Sequence, residues 1–201
     1  HNMPLSWSKI LLSVAASALL FMACKKEYSS DDALPISYSP SIVMGSNNQV
    51  LYGVNPQNGQ KNWELGLSFP VKASPILYKG SIYLASSYRD SVLKIDAKTG
   101  VVTKKIAYGA GIGATATPIA DGNLLYVATM SGFLYAIDTG TGNVKWSYGA
   151  DGPIESSPTI AKGNIYFATT TGTIYCLEKT NGTTTSPGAP TPTWSLTLTG
   201  A

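Results

Sequence analysis

From residue 41 onward, apolar residues come in short runs separated by polar turns. Ile82-Tyr-Leu-Ala85, Leu125-Tyr-Val-Ala128 and Ile165-Tyr-Phe-Ala168 are three such runs. Each follows a glycine turn, at Lys79-Gly80, Asp121-Gly122 and Lys162-Gly163. After a further turn (Ser131-Gly132, Thr171-Gly172) come Phe133–Ile137 and Thr173–Leu177. The runs are rich in Val, Ile, Tyr, Phe and Thr and are bounded by Gly-containing turns, which predicts β-strands joined in an antiparallel meander. No stripe of helical period runs through this region.

The turns repeat with a fixed period. Glycine closes a polar turn at Asn55-Pro-Gln-Asn58-Gly59, Asp96-Ala-Lys-Thr99-Gly100, Asp138-Thr-Gly-Thr141-Gly142 and Glu178-Lys-Thr-Asn181-Gly182, at spacings of 41, 42 and 40 residues. A second landmark, Ser74-Pro75, Thr117-Pro118 and Ser157-Pro158, recurs at 43 and 40. Two independent landmark sets with one period define a repeat of about 40 residues and four strands, the size of a propeller blade. Asp96 and Asp138 are expected to accept hydrogen bonds from amides one or two residues on, and Gly100 and Gly142 to supply the positive φ that returns the chain. These acids are therefore read as structural.

The N-terminus has a different pattern. After Met3 and Lys9, the apolar run Ile10–Met22 is broken only by Ser13 and Ser17. As a helix it would rise about 20 Å, short of a hydrocarbon core of about 30 Å, so it reads as a secretory signal peptide over residues 1–23. Ala23-Cys24 at its end resembles a bacterial lipobox, with Cys24 the lipidated first residue of the mature chain. Residues 24–40, with charges, serines and two prolines, read as a tether. Residues 41–201 are the blades.

Composition narrows the chemistry. The only histidine is His1, ahead of the first methionine, which removes His-dependent nucleophiles, bases and metal ligands. Net charge is +3 without a basic cluster, which excludes a nucleic-acid partner. Cys24 and Cys176 are too far apart in sequence for a zinc motif. The Asp31-Asp32 pair falls in the tether, and Asn181-Gly182-Thr183 reads as a turn rather than a glycosylation acceptor.

The run Tyr135-Ala136-Ile137-Asp138-x-x-Thr141-Gly142-x-x-x-Trp146 resembles the blade signature of the PQQ-like (quinoprotein-type) β-propeller repeat. The resemblance covers residues 41–201. It implies an all-β fold of four-stranded antiparallel blades, about four of them here, within a ring of seven or eight, so the chain is expected to be an N-terminal portion of a longer protein. It also implies that Trp63 and Trp146 dock one blade on the next. The second unit has Lys104 in the tryptophan position. In the fourth unit a Pro-rich stretch delays the nearest candidate to Trp194, and in the first the opening strand is absent or irregular. The expected structural motif is thus Trp63, Asp96, Gly100, Asp138, Gly142, Trp146 and Gly182, with no catalytic or metal-binding residue. Cys176 and Lys94 occupy the column that holds Gly53 and Ala136. Cys176 reads as core filling, and Lys94 needs either solvent or a partner.

With a lipobox, a tether and this repeat, the chain is similar to the outer-membrane assembly lipoproteins of the BamB type. That implies a scaffold in the bacterial cell envelope, anchored to the outer membrane through Cys24, with other envelope proteins as partners. The segment Ser86–Asp90, carrying Tyr88 and Arg89, has the most contact-like composition. The alternatives are the front part of a quinone-dependent dehydrogenase and a ligand- or glycan-sensing propeller. No cofactor is expected from the residues present. PQQ and calcium enter only if sequence beyond these residues supplies a site.

Overall fold

The structure, a computed structural model, describes residues 41–109, 111–179 and 191–198. The leader, Cys24, the tether and Gly182 lie outside the described residues.

The described residues form four antiparallel sheets, each a meander in sequence order. Blade 1 holds β1 (Ile42–Gly45), β2 (Val50–Val54) and β3 (Lys61–Gly66). Blade 2 holds β4 (Ile76–Tyr78), β5 (Ser81–Ala85), β6 (Ser91–Asp96) and β7 (Val102–Ala107). Blade 3 holds β8 (Ile119–Asp121), β9 (Leu124–Ala128), β10 (Phe133–Asp138) and β11 (Val144–Gly149). Blade 4 holds β12 (Thr159–Ala161), β13 (Asn164–Ala168), β14 (Thr173–Glu178) and β15 (Trp194–Thr197). The fold is all-β, as the repeat predicts, and blade 1 has no counterpart of β4 among the described residues.

The period-2 alternation of a strand assigns each apolar residue to one inter-blade core. In β5, Ile82 and Leu84 pack with Trp63 and Leu51 of blade 1. Their neighbours Tyr83 and Ala85 face the other way, onto Leu125, Val127 and Ile137 of blade 3. In β9, Tyr126 and Ala128 likewise turn toward Ile165, Phe167 and Leu177 of blade 4. The strands are therefore apolar on both faces at their centres. Tyr166 and Ala168 continue this alternation onto the far face of blade 4, where Trp194 and Leu196 are exposed among the described residues.

The hairpin turns explain themselves locally. Lys79-Gly80 and Lys162-Gly163 each have positive φ at both residues, the geometry that matches the twist of two-residue hairpins. In blade 3 the strand pairing moves the turn by one residue. Asp121 pairs with Leu124 and ends β8, so Gly122-Asn123 makes the turn rather than Asp121-Gly122. A bulge also recurs where the sequence shows no mark for it. The register slips between Gly53 and Val54, between Lys94 and Ile95, and between Ala136 and Ile137. Each slip leaves one extra residue on the outermost strand, just before the tryptophan position, and such a bulge bends and re-aims its strand.

Candidate functional site

The repeat's polar turns close on themselves. Asp96 Oδ1 accepts from the amides of Lys98 (3.0 Å) and Thr99 (2.9 Å) and from the Thr99 hydroxyl (2.9 Å). Asp138 Oδ1 accepts from the amides of Gly140 (3.0 Å) and Thr141 (2.8 Å). The donors stand two and three residues on, one further than expected from the sequence. Asn55 makes the same turn with the Gln57 amide at 2.8 Å. The amides of Thr99 and Thr141 are the main cause of lowered carboxyl pKa values at Asp96 and Asp138. Gly59, Gly100 and Gly142 have φ of 72°, 71° and 77°.

One cross-strand column runs through the blades: Gly53 opposite Trp63, Lys94 opposite Lys104, Ala136 opposite Trp146, and Cys176 opposite Trp194. Trp194 thus stands in register despite the Pro-rich stretch before it. Trp63 lies flat between two glycines. A Cβ on Gly53 would come within 2.2 Å of the indole, and a Cβ on Gly100, in the next blade's turn, within 2.5 Å. The indole N–H donates to the Ala97 carbonyl at 3.3 Å. Trp146 is more deeply buried still, but its N–H has no partner among the described residues.

The carbonyl one residue past the acid position is reached from the preceding blade at each interface, each time by a different residue type. Trp63 reaches Ala97. In blade 2, Lys94 donates to Thr139 at 3.1 Å, with its ammonium 5.7 Å from the Tyr83 ring centroid. In blade 3, the Tyr126 hydroxyl donates to Lys179 at 2.7 Å. Lys104 reaches the same turn as Lys94, donating to the Thr141 carbonyl and packing on Gly142. The partner that half-buried Lys94 needs is therefore a backbone carbonyl of the neighbouring blade.

The turns that hold these acids lie at one rim of the blades. Because strands alternate in direction, the β5–β6 type loops and the links between blades lie at the opposite rim. Three of those loops have four residues, at 46–49, 129–132 and 169–172. The blade 2 loop, Ser86–Asp90, has one more. It is pinned on both sides. The Ser87 hydroxyl donates to the Pro70 carbonyl at 2.8 Å, on the link from blade 1. The carboxylate of Asp90, only 2% exposed, accepts from the amides of Gly111 (2.9 Å) and Gly113 (3.0 Å) on the link to blade 3. Between these anchors, Tyr88 stands 71% exposed, with exposed Arg89 beside it.

A cleft of about 420 Å³ opens between blades 1 and 2 beneath this loop. Leu65, Leu67 and Phe69 line it from blade 1 and its link, Leu93 from β6, and Arg89 and Lys105 supply its charge. A second hollow of about 450 Å³ flanks the loop between Arg89 and Gly111. The sequence singled out Tyr88 and Arg89 by composition. It gave no sign of Lys105, which reaches the cleft through β-pairing, or of Asp90 as the anchor.

Quinoproteins of this fold hold the quinone with adjacent cysteines and a calcium bound by acidic and amide side chains. Among the described residues Cys176 is the only cysteine, fully buried on β14, and no three His, Cys, Asp or Glu residues cluster as metal ligands. The described residues do not fit that group.

A family model described as outer membrane protein assembly factor BamB matches residues 104–200. Among solved structures, BamB from Moraxella catarrhalis superposes with a TM-score of 0.65 at 18% identity, over 79% of this chain and 50% of that one. The computationally designed Ika8 protein superposes with a TM-score of 0.65 at 15% identity, over 78% of this chain and 46% of that one. The chain spans about half the length of these structures. No curated protein sequence matches it.

Proposed function

Taking the chain as built from PQQ-like propeller blades of the BamB kind, we propose that it is an envelope protein whose loop rim serves as an interaction scaffold. In this reading it acts in outer-membrane protein assembly, held at the membrane through lipidated Cys24. A further blade covers the Trp194 face within a larger ring. One observation carries the scaffold reading. The repeat's own acids and the Lys94–Lys104 pair are engaged in turns and blade contacts, whereas the Ser86–Asp90 loop, one residue longer than the three matching loops of its rim, is pinned at both ends and presents Tyr88 and Arg89 outward. In repeat folds, per-repeat insertions mark the binding face, and exposed aromatic and Arg side chains are the residue types enriched in interfaces.

The test is photo-cross-linking in a bacterial host expressing the full chain. The cross-linker is placed at Tyr88, Ser131 or Thr171 on the loop rim, and at Gln57 on the opposite rim. Adducts with an outer-membrane β-barrel or its assembly components, from the loop rim and not from Gln57, are the expected result. Adducts from Gln57 alone, or none from the loop rim, would overturn the scaffold reading. Separately, Cys24→Ala is expected to release the protein from membranes. Continued membrane retention of that variant would refute lipidation as the sole anchor.

A further inference from the structure

We propose that the cleft between blades 1 and 2 is a binding site for an acidic peptide segment, taking an apolar side chain flanked by carboxylates. The proposal deepens the scaffold reading and rests on it.

The cleft's charge comes from Arg89, the only arginine of the chain, and Lys105. Neither side chain has a hydrogen-bond or ion-pair partner among the described residues. The acid closest in sequence, Asp90, is turned away and fully engaged by the amides of Gly111 and Gly113. The cations therefore stand over the cleft without internal neutralisation. Its walls combine the apolar side chains of Leu65, Leu67, Phe69 and Leu93 with Ser68, Ser86 and Ser91.

Size and chemistry select the ligand class. About 420 Å³ lies at the small end of ligand cavities and holds one or two side chains. Arginine binds a carboxylate through two parallel N–H donors, and the geometry of that fork gives specificity as well as strength. Two cations around a basin that is apolar on its Leu65, Leu67, Phe69 and Leu93 side match a peptide in which Asp or Glu flanks Phe, Leu or Tyr. Nucleic acid would require a basic stripe along its backbone, and an anionic bilayer a broad basic surface. Two cations provide neither. The pinned loop adds affinity, because Ser87 and Asp90 hold the backbone beneath Arg89 before any ligand arrives, and preorganisation lowers the ordering cost of binding.

The experiment applies a positional-scanning library of octapeptides to the purified full chain, to Arg89→Ala/Lys105→Ala, and to Arg89→Glu/Lys105→Glu. Wild type is expected to select Asp or Glu next to a large apolar residue. The alanine pair is expected to bind the selected peptide at least about tenfold more weakly. The glutamate pair is expected to turn the preference toward Lys and Arg, a reversal that loss of structure cannot produce. Melting midpoints verify that the variants are folded.

Three results would overturn the proposal: no acidic preference in wild type, an acidic preference that survives both substitutions, or stronger binding of phosphatidylglycerol vesicles than of any peptide, lost in the same variants. Loop-rim cross-links from Ser131 and Thr171 that persist alongside a flat library profile would leave the scaffold reading standing while this site falls. Loss of those cross-links with the library preference intact would do the opposite.

Discussion

Lys94 and Lys104 stand directly opposite one another on β6 and β7, at the position where the other blades set tryptophan against a smaller residue. Two like charges on a cross-strand pair repel. Here they are held apart by separate acceptors in blade 3, the carbonyls of Thr139 and Thr141. The pair does the docking that Trp63 does one blade earlier, with ammonium groups in place of an indole.

Lys94→Ala would leave the buried Thr139 carbonyl without its side-chain donor, and stability is expected to fall by about 1–2 kcal/mol. The double substitution Lys94→Gly/Lys104→Trp rebuilds the arrangement of blade 1, where Gly53 leaves room for the indole, and its indole N–H can reach the Thr139 carbonyl as Trp63 reaches that of Ala97. It is expected to recover most of the loss. Urea denaturation of the wild type and the two variants measures this. A double variant no more stable than Lys94→Ala would mean that the two arrangements are not equivalent.

Gly59 and Gly100 separate conformation from packing. Both have φ near 70°, but a Cβ on Gly59 meets nothing within 4 Å, whereas one on Gly100 strikes the Trp63 ring. Gly59→Ala is expected to cost about 1 kcal/mol, from the left-handed backbone alone. Gly100→Ala adds displacement of the indole and is expected to cost a further 1–3 kcal/mol or so. In Trp63→Ala the extra cost at Gly100 should vanish. Equal effects at the two glycines in the wild-type background would refute the docking role of Trp63.

What the sequence disclosed and what it hid follow from locality. The Asx turns at Asp96 and Asp138 and the positive φ of Gly100 and Gly142 depend on residues within five positions of each other, so their chemistry can be read along the chain. The repeat then delivers the propeller, because the same local solution recurs, at Asn55, Asp96 and Asp138 among the described residues. The Lys94 contact joins residues 45 positions apart and needs the next blade's turn carbonyl, which no local pattern encodes. The bulges after Gly53, Lys94 and Ala136 have no marker residue of their own. The one-residue shift of the Gly122-Asn123 turn is set by pairing of Asp121 with Leu124 rather than by the glycine. Lys105 belongs to the cleft only because β7 lies beside β6. The extra residue of the Ser86–Asp90 loop shows only once strand ends are fixed.

Asp138→Ala removes the acceptor for two turn amides, and a loss of about 0.5–2 kcal/mol is expected, read as a lower melting midpoint. Asp138→Asn keeps a side-chain oxygen in place, as Asn55 does in blade 1, and should retain most of the stability. A midpoint unchanged in the alanine variant would count against the turn assignment.

Acid should weaken the fold through these same carboxylates, most clearly through Asp151. Its two oxygens accept from the hydroxyls of Thr169 (2.7 Å) and Thr173 (2.6 Å), tying the blade 3–blade 4 link to the start of β14 and the loop before it. The Thr173 hydroxyl is the largest cause of an Asp151 carboxyl held down to about 2, from an ordinary value of 3.8. A carboxyl whose folded pKa is depressed contributes stability that is fully present above the unfolded value and is lost as pH falls through the folded one. The contribution of Asp151 should therefore be complete above about pH 5 and fade between roughly pH 4 and pH 2, the window set by these two values. Asp96, Asp121 and Asp138, whose carboxyls are also lowered, act in the same direction. Asp151→Asn keeps the shape but cannot titrate, so it should be less stable than wild type at pH 7 and approach it near pH 2. Melting midpoints of the two proteins measured across that range test the sign. A gap that stays constant from pH 7 to pH 2 would show that the Asp151 charge contributes nothing to folding.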